Sequence, residues 1–106
     1  RDIVYDVYMT VERTADTAED WKLPTRTLTE GGDCEDLSIL ALGRINEELG
    51  VKGAMMVGRV KTDAGERWHA WVRVGDYQYD PTIGGVGAEY FPLWEWSYDF
   101  VMAVAT

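Results

Sequence analysis

The sequence predicts an α+β fold in which one central helix packs on an antiparallel β-sheet. Three observations carry this. Cys34 to Leu49 has the apolar pattern of a long helix buried for half its length. Residues 51–61 and 67–74 are rich in β-branched and aromatic side chains and close on turn signals. The connections between them are short, which suits an antiparallel meander and not parallel crossovers. At 106 residues the chain is long enough for one core and too short for two, so residues 1–106 read as a single domain.

Each element has its own justification. Residues 1–13 place Ile3, Val4, Val7, Tyr8 and Val11 at helical spacing, although they also alternate; helix is the reading taken. Thr14 to Thr29 is polar, holds Trp21 and Pro24, and reads as an ordered loop. Gly31 and Gly32 allow a sharp entry into the central helix. Asp33 is its N-cap candidate, Glu35 and Asp36 suit its first turn, and Gly50 stops it. Leu37, Ile39, Leu40, Ala41 and Leu42 cover most of its circumference, so its first half should be buried nearly all round. After the two strands, residues 77–80 form a third short strand closed by Pro81, and residues 98–104 return as a last strand. Gly84-Gly85-Val86-Gly87 lacks the flanking strand and helix of a nucleotide fingerprint and reads as a plain loop.

Charge narrows the classes of function. Nineteen acidic against 10 basic residues give a net charge of −9, which repels phosphate backbones and argues against a nucleic-acid partner. It suits a cationic substrate, a bound divalent cation, or simple solubility. No apolar run approaches the roughly 18 residues of a membrane span.

The chain has one cysteine, Cys34 in Gly-Gly-Asp-Cys-Glu-Asp, and one histidine, His69 in Trp-His-Ala-Trp-Val. A lone cysteine cannot form an internal disulfide. At the first turn of a helix, backbone N–H groups and the helix dipole favour its thiolate. Strand alternation puts His69 on the face of Trp71, opposite Ala70 and Val72. Asp80 follows eleven residues later, beyond a Gly75-Asp76 turn that can fold it back to the far ring nitrogen of His69. Thiol, imidazole and carboxylate in these settings are the parts of a nucleophile, its base and the group that orients the base.

An oxyanion formed by such attack needs donors, and the backbone N–H of Cys34 is one. The indole N–H of Trp21 is either a second donor or part of simple packing. Asp33, Glu35 and Asp36 oppose ionisation of a neighbouring thiol unless they turn away or a cation neutralises them. Three acidic residues in four are suggestive of calcium but short of a full shell, and zinc at Cys34 and His69 lacks two further ligands. The aromatic cluster of Tyr90, Phe91, Trp94, Trp96 and Tyr98 reads as core or cleft wall.

Taken together, Trp21-Lys-Leu-Pro24 with Thr27-Leu28, Gly31-Gly-Asp-Cys-Glu-Asp36, Trp68-His-Ala-Trp-Val72 and Tyr79-Asp-Pro-Thr82 resemble the transglutaminase-like superfamily of papain-type cysteine enzymes. The bacterial cysteine-peptidase branch is the nearest in pattern, over roughly residues 15–85. The resemblance implies a papain-like fold with Cys34 as nucleophile, His69 as base and Asp80 as its orienter. It adds Trp21 as an oxyanion contributor and calcium ligands at positions like Asp33, Glu35 and Asp36, with no cofactor required for the chemistry itself. The expected activity is cleavage of a peptide or isopeptide bond in a protein or peptide substrate. Amine transfer and a noncatalytic peptide- or glycan-binding module are the alternatives. The pattern departs at Arg26, where these peptidases usually carry Glu.

Overall fold

Asp33 begins the central helix as the sequence predicts. Its side chain accepts from the Asp36 N–H, while the Asp36 side chain accepts from the Asp33 N–H. In the computed structural model, which describes Ile3, Val7, residues 21–81 and residues 88–105, this helix runs Cys34–Leu49 and ends on left-handed Gly50. A shorter helix, α1 (Pro24–Glu30), precedes it, so the central helix is α2. Asp36 to Leu42 are all buried, which accounts for the expected burial of its first half.

Strands β1 (Ala54–Thr62), β2 (Gly65–Val74), β3 (Tyr77–Tyr79) and β4 (Glu89–Ser97) form one antiparallel sheet in the order β3-β2-β1-β4. Paired residues share a face. One face carries Met55, Val57, Ala70, Val72, Val74 and Trp96 against Leu37, Leu40, Ala41 and Ile45 of α2, and this is the core. The opposite face carries Gly58 beside His69 and Met56 beside Trp71.

β4 is irregular. Val57 pairs with Trp94, but Gly58 pairs with Pro92, so Leu93 is passed over as a bulge. A Cβ on Gly58 would lie 2.2 Å from the carbonyl oxygen of Phe91, so only glycine lets β4 approach this closely.

Three expectations are corrected. The loop expected over residues 14–29 ends in α1, because Pro24 opens a helix at its first position and Arg26 pairs with Glu30 one turn on. Residues 98–104 are not a strand but helix α3 (Tyr98–Val104). The Ser97 hydroxyl caps it by accepting from the Phe100 N–H, and Tyr98, Val101, Met102 and Ala105 fall at helical spacing on its inner side. Tyr98 also donates its hydroxyl to Asn46 of α2, at 3.2 Å. The fourth strand is instead β4, and it pairs with β1 instead of extending the meander. In the N-terminal stretch read as helix, Ile3 and Val7 are helical and buried; its other residues, like residues 14–20 and the Gly84–Gly87 loop, lie outside the described residues.

Candidate active site

β2 is buried on both faces from His69 to Val72, so whatever these side chains carry must be satisfied within the protein. His69 meets that requirement through Asp80, which follows β3 directly: Nε2 lies 2.7 Å from Oδ2, with both side chains almost fully buried. An ionised carboxylate only accepts, so Nε2 carries the proton of this bond, and in the neutral ring Nδ1 then keeps its lone pair. The sequence separation expected to bring Asp80 to the far ring nitrogen of His69 does so.

Cys34 sits at the tip of α2, partly buried, where the backbone N–H of Ala70 donates to its sulfur. That bond holds the thiol one residue from His69. The electrostatics oppose the thiolate expected at a helix tip. Burial pushes the thiol up to about 12 from an ordinary 9.0. The Ala70 N–H lowers it, and Glu35, Asp33 and Asp80 raise it further. The resting sulfur is therefore a thiol.

Asp36, in the same first turn of α2, is engaged by partners outside the helix. Fully buried, it accepts from the backbone N–H of Lys22 at 2.9 Å and of Asp33 at 3.3 Å. The buried ammonium of Lys22 lies 3.9 Å from its Oδ2 and donates to the Gly31 carbonyl. The cation that neutralises Asp36 is thus a lysine of the chain. Gly32 makes this possible, since a Cβ there would stand 2.4 Å from that of Asp36.

Of the residues read as calcium ligands, Asp36 is spent on this clamp, and one oxygen of Asp33 caps the helix. Among the described residues no group of three or more His, Cys, Asp or Glu side chains is placed to hold a metal ion. No step below is routed through calcium.

Trp21 is half-buried with its ring 5.2 Å from that of Trp96, both against the core. The aromatic cluster separates by role. Trp96 and Tyr98 pack on the core, whereas Trp94 and Phe91 are about half exposed. Trp94 stacks on exposed Trp68 at 5.8 Å, and Arg59 lies over the Trp68 ring. Tyr90 does something else: its hydroxyl donates to Asp80 Oδ2 at 2.7 Å. Burial and the Asp80 carboxylate push its phenol far up, so it is a permanent donor.

Neither Tyr90 nor Lys22 was found from the sequence. Lys22 stands in a polar stretch with no local sign of burial, and the placement of Tyr90 depends on a bulge that alternation cannot reveal. An open groove of about 360 Å³ lies at the other end of the sheet, where Lys52 pairs with Asp99 and Arg73 with Glu95. Among the described residues no helix is long and apolar enough to cross a membrane. No family model, no curated protein and no solved structure matches the chain.

Proposed function

We propose that the protein is a cysteine hydrolase of the transglutaminase-like, papain-type class, cleaving peptide or isopeptide amides through Cys34, His69 and Asp80. The observation that carries this reading is the buried His69–Asp80 bond at 2.7 Å, which leaves Nδ1 as a lone-pair acceptor one residue from the Ala70 N–H that holds the thiol. A carboxylate on Nε2 is also the group that would fix the tautomer of a catalytic imidazole.

In the proposed reaction Nδ1 takes the thiol proton as sulfur attacks the amide carbon, giving a tetrahedral oxyanion. The backbone N–H of Cys34, one of the first N–H groups of α2 with no acceptor inside the helix, supports that oxyanion, with the Trp21 indole as a second donor. The imidazolium then protonates the departing amine, and the acyl group stays on sulfur as a thioester. Water activated by His69 hydrolyses the thioester and returns the thiol. An amine in place of water would give transfer instead. Because Cys34 rests as a thiol, proton removal accompanies attack and no standing thiolate is needed.

A second reading is a noncatalytic module presenting the Trp68–Trp94 pair to a peptide or glycan. It is favoured by the exposure of that stacked pair and by the carboxylates that hold the thiol protonated. One experiment separates the two: the alkylation rate of Cys34 against pH in the wild type and His69→Ala. The hydrolase reading expects appreciable rate near about pH 7 that falls at least tenfold in His69→Ala. A rate that appears only in strong alkali, unchanged by His69→Ala, leaves the binding module.

A further inference from the structure

Asp80 Oδ2 receives two hydrogen bonds at 2.7 Å, from His69 Nε2 and from the Tyr90 hydroxyl. The two donors come from different strands, His69 from β2 and Tyr90 from the edge strand β4, while the acceptor Asp80 follows β3 at the other edge. We propose that Tyr90 is a positioning residue that fixes the Asp80 carboxylate and, through it, the tautomer and ring orientation of His69. The inference rests on the hydrolase reading for its functional meaning.

The bulge gives this placement its physical basis. Trp96 and Trp94 pair with Met55 and Val57, so both lie on the core face. Unbroken alternation would put Pro92 and Tyr90 there as well. Passing over Leu93 pairs Pro92 with Gly58 and Tyr90 with Val60, which moves Tyr90 to the face of His69. Trp71 then spaces the two rings. It is fully buried, its indole N–H donates to Gln78 Oε1, and its ring lies 6.2 Å from His69 and 4.9 Å from Tyr90.

A carboxylate held by one donor can rotate or offer either oxygen. Held by two on the same oxygen, it presents a fixed acceptor to Nε2–H. A phenol is also a suitable second donor because it does not give up its proton here, so Asp80 stays an anion shared between two donors.

The single histidine makes the test direct, because one imidazole gives one set of ring-nitrogen signals. Long-range proton–nitrogen spectra are recorded for the wild type and Tyr90→Phe at about pH 8, above the ordinary imidazole range. Melting temperatures and Cys34 alkylation rates are measured beside them. A wild type held in the Nε2–H tautomer, with mixed tautomers in Tyr90→Phe, is the expected result. Loss of one hydrogen bond of ordinary worth should lower alkylation about three- to tenfold.

A wild type in the Nδ1–H tautomer overturns the proposal without any variant. So does a Tyr90→Phe spectrum identical to the wild type, which would make the phenol merely a packing group. The hydrolase reading fails separately, when His69→Ala alkylates as the wild type does, and the tautomer result still decides what Tyr90 holds.

Discussion

Around His69 the polar atoms are buried and meet their partners at 2.7 Å, while around Cys34 the sulfur is partly exposed and ringed by carboxylates that resist its ionisation. The base half of the candidate site is finished before any substrate arrives. The nucleophile half is not: the Ala70 N–H favours its anion, but burial and three charges oppose it. A thiol that rests protonated is protected, whereas an exposed standing thiolate would be open to oxidation. The contrast assigns rigidity to one half and restraint to the other.

The largest break in the comparison comes from Asp80→Ala. It strands two buried donors, and the protein should lose about 2–4 kcal/mol of stability, read by denaturant titration. Asp80→Asn, which keeps the shape, should cost less stability while still lowering alkylation at least tenfold. Lys22→Met tests whether the tip of α2 is held by its own internal cation. Leaving Asp36 buried without the lysine charge should cost about 2 kcal/mol. A melting temperature equal to the wild type would mean that the ammonium at 3.9 Å contributes nothing.

Much of this was legible in sequence, and the reason is locality. Helix α2 announced itself through Asp33, Asp36 and Gly50, all within a turn of its ends, and the hairpin carrying His69 and Asp80 is set by nearby turns. What stayed hidden depended on distant partners. Val101 and Val104 favour strand by propensity, but the Ser97 cap and packing on the core make the segment helical. Nothing in residues 33–36 reveals that Asp36 turns to Lys22.

The two smaller predictions sharpen the nucleophile half. A thiol whose folded value lies above its unfolded one adds nothing to the pH dependence of stability below about 9. Above that, the unfolded chain releases the proton while the folded chain keeps it, so stability is lost between about 9 and about 12. By pH 10 the loss should be roughly 1 kcal/mol, and Cys34→Ala should remove it from the pH profile of the melting temperature. Smallest is Glu35→Gln. Relieving one like charge at a partly exposed site should speed alkylation about two- to threefold at low salt and less at high salt. An unchanged rate would mean that solvent already screens that carboxylate.

The bulge at Gly58 has a consequence for how this protein can vary. Strand β4 is read in one phase through its tryptophans and in the other through Tyr90, and the change of phase is a matter of residue count, not of residue identity. Many side chains could stand at Leu93, which is exposed, without altering which way Tyr90 points. Closing the bulge with Leu93 kept would instead pair Leu93 with Gly58 and turn the phenol to the core side, whereas deleting Leu93 would leave Pro92 beside Gly58 and Tyr90 beside Val60. Along this strand, the residue count and the bulge must change together for the phenol to keep its face.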